Sequence, residues 1–282
     1  MPTFDTPEPI IADIEILVGR VRINAGDRGD TVVQVHPSDP SSDSSVQAAK
    51  RTLVELSGDR LRVRGPKGKG LAYLLAWRGS IDVTIDLPAG ARVDAKVSSA
   101  DLLATGRLGE CSVKCSNGDI RFEETGRLEA KTSNGEISVD RIAGPAELAV
   151  SNGAIRIGAS GDTAVAKCSN GDITVGEVTG DLLLNTGSGD ITLDRVLAGV
   201  TAKTAYGRVR IRELVRGSAR LETGYGKTHI GIAEGTAAWL DLHSKHGVVR
   251  STLTASEGPE EGEAVAEIHA HSNYGDIDVH RS

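Results

Sequence analysis

A repeat of about 18 residues runs through the chain and constrains its fold more than any other feature. The motifs CSNGDI, TSNGEI, VSNGAI and CSNGDI begin at Cys115, Thr132, Val150 and Cys168. Their glycines belong to a longer series of equally spaced positions: Gly118, Gly135, Gly153, Gly171, Gly189 and Gly207, then in weaker form Gly226, Gly247 and Gly275. A fixed period of this size indicates a stacked array of about ten units over residues 90–282.

Each unit alternates apolar and polar residues with a period of two, which is typical of a strand with one buried face. In the unit that ends at Gly135, the residues Leu128, Ala130 and Thr132 alternate with Glu129 and Lys131. Asn-Gly favours a turn because both residues tolerate positive φ. Each unit therefore predicts two short strands separated by a corner, and the asparagines before the glycines predict a polar ladder along that corner.

The same positions stay apolar from unit to unit, which favours coils over independent hairpins. The residue seven places before the glycine is apolar from Val93 to Ile268, and the residue two places after it is Ile or Val in most units. Such columns are what parallel, in-register strands about 4.8 Å apart require. The sequence predicts an all-β, single-chain β-solenoid with coils of about 18 residues, two short strands per coil and an N-terminal β-rich cap.

Composition agrees with a thin interior. The chain has 34 glycines in 282 residues and only 3% aromatic residues, so Val, Ile, Leu and Ala must fill the core. A thick globular core is not expected from side chains of this size.

The first 89 residues do not follow the period. They predict a β-rich cap and the first irregular coils, with a Ser/Pro loop and a short helix over 44–51. The stretch GPKGKG at residues 65–70 lacks the spacing of a P-loop and predicts an exposed loop. Residues 90–282 predict the regular solenoid, with an acidic loop insertion near 255–264.

The SNGDI-type repeat, together with IDVTIDLPAGARVDAKVSSADL at residues 81–102, resembles a bacterial β-strand-repeat family of adhesin-like proteins. This is domain-of-unknown-function family 4097, also called the toastrack domain. The resemblance covers roughly residue 10 to the end of the chain. It implies a β-solenoid fold and an association with envelope-stress signalling or transmembrane partners, and it provides no catalytic residues.

The first residues and the cysteines both favour the cytoplasm. The N-terminal stretch shows neither a signal peptide nor an apolar run long enough for a membrane helix, so no direct membrane insertion is expected. Cys111, Cys115 and Cys168 are too far apart in a solenoid for disulfides and are predicted to be buried, structural side chains. No cofactor is expected.

The last four coils depart from the Asn-Gly corner, and this predicts the binding surface. Aromatic rings replace asparagine there and basic residues replace the acidic ones, at Tyr206, Arg208, Tyr225, Lys227, His246 and Tyr274. Exposed Tyr and Arg are typical of protein-binding surfaces. The alternative interpretation is structural, because Tyr-Gly also forms a corner and the rings would then pack on one another.

A metal site at the same end is a further alternative. Glu222, His243 and His271 share one outward column of successive coils, and Asp241 and His269 share the column two residues earlier. Imidazole and carboxylate are suitable ligands for zinc and other transition metals. A metal-dependent activity at this cluster is therefore the third functional hypothesis.

The leading hypothesis is a non-enzymatic cytoplasmic β-solenoid that acts as a protein-interaction or scaffold module, in a stress-response or regulatory system as the resemblance implies. A nucleic-acid partner is not expected, because acidic corners run beside the basic columns and the net charge is −7. The second hypothesis is a self-assembling structural solenoid. Its contact would be the C-terminal solenoid edge, which the sequence predicts to be the last coil, YGDIDVHRS.

Overall fold

The computed structural model of the protein describes residues 2–66, 79–254, 258 and 263–282. The chain divides into two compact units, Met1–Val139 and Asp140–Ser282. Strands account for 69% of the described residues and helix for 3%. Within each unit, most strands pair in parallel with the equivalent strand of another coil. The predicted all-β solenoid architecture is confirmed.

The described residues of the first unit form one helix and ten complete strands. These are β1 (Thr3–Asp5), β2 (Ile11–Gly26), β3 (Asp30–Pro37), α1 (Asp43–Arg51), β4 (Leu53–Ser57), β5 (Arg60–Arg64), β6 (Ile81–Pro88), β7 (Arg92–Leu108), β8 (Cys111–Asn117), β9 (Ile120–Thr125) and β10 (Leu128–Asn134). Helix α1 covers the residues expected from the sequence, and its N-cap Ser42 accepts a hydrogen bond from the Ser45 N–H.

The second unit repeats the two-strand coil. Strand β11 (Ile137–Ile142) spans the boundary, and the others are β12 (Ala146–Asn152), β13 (Ile155–Ser160), β14 (Ala164–Asn170), β15 (Ile173–Val178), β16 (Leu182–Ser188), β17 (Ile191–Val196), β18 (Val200–Tyr206), β19 (Val209–Leu214), β20 (Gly217–Tyr225), β21 (Thr228–Ile232), β22 (Thr236–Ser244), β23 (Val249–Ser251), β24 (Ala264–Tyr274) and β25 (Ile277–Arg281).

The stacking register equals the sequence repeat through most of the second unit. Ala164 of β14 lies between Ala146 and Leu182, and Ile173 of β15 lies between Ile155 and Ile191. These inward side chains are 0–7% exposed, so each column forms a continuous apolar ladder. Removal of this ladder from water is the main stabilising contribution to the fold.

Stacking order departs from chain order at the N-terminal end of the first unit. Strand β2 lies between β7 on one side and β5 with β6 on the other, and all these pairings are parallel. Strands β3 and β4 then pair antiparallel with β6 and β5. Antiparallel strands thus cover the outer edges of β5 and β6, so the backbone hydrogen-bonding groups of these edges are paired.

The second unit shows the same departure at its C-terminal end, and this corrects the prediction that the last coil is the edge. Strand β24 pairs with β20 on one side and β22 on the other, and β25 lies between β21 and β23. The coil that ends in YGDIDVHRS is therefore internal. The outer coil is β22 with β23, which precedes it in the chain.

Two expectations lie wholly or largely outside the described residues. They are the exposed loop at residues 65–70, of which only Gly65 and Pro66 are described, and the acidic insertion near 255–264. In the described part of the chain, no helix is long and apolar enough to span a membrane.

Candidate functional site

The corner of each coil is built by glycine backbone geometry and a repeated set of hydrogen bonds. Gly171 has φ of +141°, whereas no described residue other than glycine has a positive φ. The asparagine before it therefore does not adopt the left-handed conformation that the sequence argument allowed. In the second unit, the Asn170 side-chain N–H instead donates to Asn152 Oδ1 at 3.1 Å, and in the first unit the Asn134 side chain donates to Asn117 Oδ1 at 2.9 Å. The predicted polar ladder is present within each unit.

Acidic residues after the corner glycine have a structural role that the sequence argument missed. Asp172 accepts a hydrogen bond from the backbone N–H of Asp190, and Asp190 accepts one from the backbone N–H of Arg208, each at 2.8 Å. The carboxylates therefore tie one coil to the next. The signal was their fixed position one residue after the glycine.

At the C-terminal end of the second unit, four rings replace this amide ladder. We call Tyr206, Tyr225, Tyr274 and His246 the aromatic ladder, in their spatial order. The ring centroids are 5.2 Å apart for Tyr206 and Tyr225, 4.8 Å for Tyr225 and Tyr274, and 4.6 Å for Tyr274 and His246. The planes differ by 15° or less. The spacing follows from the strand separation of about 4.8 Å.

The aromatic ladder is stacked and exposed at the same time. The side chains pack face to face, as the structural interpretation of the sequence required, yet Tyr206, Tyr225 and Tyr274 remain 60%, 51% and 47% exposed. Ring faces inside the stack are covered by their neighbours, so the ring edges and hydroxyl groups form the outer surface. Such a surface suits contact with a protein better than insertion of a planar ligand.

The basic residues beside the aromatic ladder are neutralised by carboxylates. Arg208 donates two side-chain hydrogen bonds to Asp190 Oδ2, at 2.6 and 2.9 Å, and Lys227 lies 3.6 Å from Asp276. Partial burial alone would raise the pKa of Asp190, but hydrogen bonds from Arg208 hold that pKa below its usual value. The pKa of Asp276 is lowered by the Val248 N–H and then by Lys227 and Arg250. The surface formed by the aromatic ladder and these basic residues therefore carries little uncompensated charge.

A shallow hollow lies beside the aromatic ladder. It has a volume of about 260 Å³ and is lined by Asp190, Ile191, Thr192, Arg208, Arg210, His229 and His280. Its lining includes two histidines and one carboxylate, which Arg208 already pairs with, and no Ser or Cys, so it lacks the groups of a Ser or Cys nucleophilic site.

The predicted metal-binding residues are neighbours but do not gather into a coordination sphere. Their order in space is Glu222, His271, His243, because β24 lies between β20 and β22. The His243 and His271 rings stack, with centroids 5.2 Å apart. Over the described ranges, no group of three or more His, Cys, Asp or Glu residues is placed to hold a metal ion.

His269 is held by two carboxylates. Its Nδ1 lies 3.0 Å from Asp241 Oδ2 and its Nε2 lies 2.9 Å from Glu267 Oε1. Hydrogen bonds to Asp241 and then to Glu267 raise the pKa of His269, so the doubly protonated ring that donates to both is favoured. Both ring nitrogens of His269 therefore already have carboxylate partners.

The cysteines are free and buried, as the sequence predicted. Burial raises the pKa of the Cys111 thiol to about 12, and burial also raises the pKa of Cys115 and Cys168. Reactive thiols need the opposite shift, so these residues are part of the core.

An exposed tryptophan at the same end was not predicted from the sequence. Trp239 on β22 is 63% exposed and meets the His269 ring edge-on at 6.2 Å. The signal was the break in period, because 21 residues separate Gly226 from Gly247 and 28 separate Gly247 from Gly275. Coils of different length mark the place where stacking order changes.

Comparison with known proteins identifies the family. The family model described as Toastrack DUF4097 matches residues 11–281. No curated protein matches the chain. Three solved structures that align with the chain over nearly their full length have identities of 12–15% and TM-scores below 0.5.

The first is a putative adhesin from Bacteroides fragilis NCTC 9343, with 15% identity over 99% of this chain and 95% of that chain, and a TM-score of 0.41. The second is a putative cell adhesion protein from Clostridium sporogenes ATCC 15579, with 12% identity over 100% and 98%, and a TM-score of 0.21. The third is a putative adhesin from Parabacteroides distasonis ATCC 8503, with 12% identity over 98% and 95%, and a TM-score of 0.31.

Proposed function

Because the chain belongs to the toastrack DUF4097 family, which its model matches over residues 11–281, we propose that it is a non-enzymatic solenoid module that binds a protein partner. The binding surface is the aromatic ladder with Arg208 and Lys227. Cytoplasmic localisation and a stress-response or regulatory role are parts of this proposal that rest on the sequence alone.

One observation carries the proposal, which is that the corner does not need aromatic residues. Asn152 and Asn170 occupy the equivalent position of earlier coils and join through an amide hydrogen bond of 3.1 Å. In place of this arrangement, three tyrosine rings expose about half their surface to water. Selection for stability of the corner alone does not account for that exposure.

The aromatic ladder has the physical properties of a protein contact surface. Tyrosine offers a large contact area with only two side-chain torsions, and stacking in the free protein restricts the rings before any partner binds. Arg208 and Lys227 already pair with carboxylates, which lowers the cost of covering them. The tyrosine hydroxyl groups along the aromatic ladder provide hydrogen bonds for specificity.

The experiment is affinity capture from host lysate with matched variants. In the test variant, Tyr206, Tyr225 and Tyr274 are replaced by Asn, the residue that the fold itself uses at this position. The control variant carries Asn152→Ser and Asn170→Ser in the same unit. Circular dichroism checks the fold of both. We expect a protein that is retained by the native chain and the control but lost from the test variant.

With the captured protein purified, the triple tyrosine variant should bind at least about tenfold more weakly, since exposed Tyr side chains are frequent binding hot spots. Equal retention by all three forms would contradict the proposal and leave the aromatic ladder a structural feature of the corner.

Self-assembly is the second candidate function, and the outer coil of the second unit favours it. In the described part of the chain, β22 pairs with β24 alone and β23 with β25 alone. A strand with one free edge is a template for further pairing. Light scattering over a concentration series would show growth with concentration if the chain self-associates, and a constant mass if it does not.

A further inference from the structure

The outer coil of the second unit leaves its core open at β22. Leu240 and Leu242 face the same direction as Ile268 and Ala270 of β24, which are 0% and 2% exposed. The two leucines are only half-buried, because the described residues place no further coil over them. Val248 and Val249, next along the chain, are 51% and 41% exposed. An apolar surface of this kind gains free energy when another surface covers it.

The backbone of β22 also has a defined set of outward-directed groups. The Lys245 N–H donates to the Ser272 carbonyl of β24 at 3.0 Å. Successive residues of a strand direct their N–H and C=O groups to opposite sides, so Leu240, Leu242 and Ser244 direct theirs away from β24. A strand added at this edge would therefore bond to these three residues.

Two antiparallel copies of β22 aligned at Leu242 would place complementary side chains opposite each other. If a second copy of β22 runs antiparallel with Leu242 opposite Leu242, then Asp241 lies opposite His243 and Trp239 lies opposite Lys245. The first pairing joins a carboxylate to an imidazole. The second places an ammonium against an indole, which is a favourable cation–π pair. A twofold contact makes each pairing twice.

We propose that the chain forms a twofold symmetric dimer in which β22 of each copy pairs antiparallel with β22 of the other, centred on Leu242. Residues 240, 242 and 244 exchange about six backbone hydrogen bonds across the contact. The Leu242 side chains meet over the open ends of the two cores. This inference rests on the second candidate function and specifies its geometry as a closed dimer, since a twofold contact does not propagate into a filament.

Neighbouring registers are less favourable. Centring the contact on Asp241 places two carboxylates opposite each other, which is destabilising. Centring it on His243 pairs Asp241 with Lys245 but puts Leu242 opposite Ser244, so the two leucines no longer meet. Within each copy, Asp241 Oδ2 forms a hydrogen bond with His269, and Oδ1 can accept a hydrogen bond from the second copy.

Charge reversal tests the register without removing apolar contacts. In a dimer of identical copies, His243→Glu creates two repulsive carboxylate pairs, and Asp241→Lys removes both carboxylate–imidazole contacts. In an equimolar mixture of the two variants, the mixed dimer has one Lys–Glu pair and one native Asp–His pair, so the carboxylate repulsion is removed and one pair is attractive. Glu177→Lys, an exposed acidic position on β15 far from the edge, is the matched control.

Sedimentation velocity over a concentration series gives the readout, with circular dichroism as the fold check. We expect the native chain and Glu177→Lys to dimerise alike, each single variant to dimerise at least about tenfold more weakly, and the mixture to recover. Failure of the mixture to recover would overturn this register. Monomer at every concentration would overturn the second candidate function with it, whereas association unaffected by either charge reversal would overturn the β22 geometry and leave self-association in place.

A cysteine on the twofold axis provides an independent test. Opposed residues in a hydrogen-bonded antiparallel pair have Cα atoms about 5.5 Å apart, within disulfide range. Leu242→Cys should therefore form a covalent dimer under mild oxidation, whereas His243→Cys, displaced from the axis, should not cross-link to itself. The native cysteines are buried and give little background. Equal cross-linking at both positions would contradict an axis at Leu242.

Discussion

Corner glycines show how strongly single residues constrain the stacked coil. Gly171 has a φ of +141°, and a Cβ added there would overlap the carbonyl oxygen of Gly153 in the preceding coil. The backbones approach this closely because the Gly153 N–H donates to the backbone carbonyl of Asn170, beside Gly171, at 3.0 Å. Glycine is required at this position both for its conformation and for the space it leaves.

We expect Gly171→Ala to lower the free energy of unfolding by at least about 3 kcal/mol, because the added methyl group meets rigid backbone and φ is positive. Gly161→Ala in the same unit is the control, since its nearest backbone atom would lie at an ordinary 3.5 Å. Urea denaturation of both variants measures the difference. Similar values for the two would show that the corner adjusts to a side chain.

At the scale of the strand, a column of hydroxyl groups lies under the corner. Thr186, Thr204 and Thr223 are buried and donate to the carbonyls of Gly171, Gly189 and Gly207, each at 3.0 Å. These bonds satisfy carbonyl groups that the corner turns inward. Cys168 makes the weaker equivalent contact, with its Sγ 3.3 Å from the Gly153 carbonyl.

Thr204→Val removes the hydroxyl group and keeps the shape of the side chain. We expect a loss of about 1–2 kcal/mol in the free energy of unfolding, because the Gly189 carbonyl loses a buried hydrogen bond. Thr201→Val on the outward face of the same strand should change it by less than about 0.5 kcal/mol. Thermal and urea unfolding of the two variants test this, and equal effects would indicate that the hydroxyl column does not stabilise the corner.

At the scale of the whole molecule, a solenoid should tolerate loss of a complete coil. Residues 161–178 contain β14 and β15, and their removal would let β12 and β13 meet β16 and β17 with every column preserved. We expect the shortened chain to fold with reduced stability, because each coil interacts mainly with its neighbours.

Removal of residues 161–169 is the matched test, since it places Gly189 half a coil out of column. Circular dichroism with urea denaturation should show a cooperative transition for the 18-residue deletion and none for the nine-residue deletion. If both deletions abolish the transition, the coils are not interchangeable.

The repeat predicted the coil, its two strands, the corner and the apolar columns, because these depend on positions that recur at a fixed distance along the chain. Burial of one strand face produces the period of two, and the need for glycine at a crowded turn produces the period of 18. The aromatic column was visible for the same reason, since Tyr206, Tyr225 and Tyr274 each precede a corner glycine.

Only the tertiary structure decided the order in which the coils stack. Strand β2 lies between β7 and the pair β5 and β6, and β24 lies between β20 and β22. An apolar column is buried equally well against any coil that carries the same column. A periodic sequence is therefore compatible with many stacking orders of the coils. The choice among them depends on loop connections and on which coil leaves its core exposed, and neither of these is periodic. The open edge at Leu240 and Leu242 therefore became apparent only when the coils were placed in space.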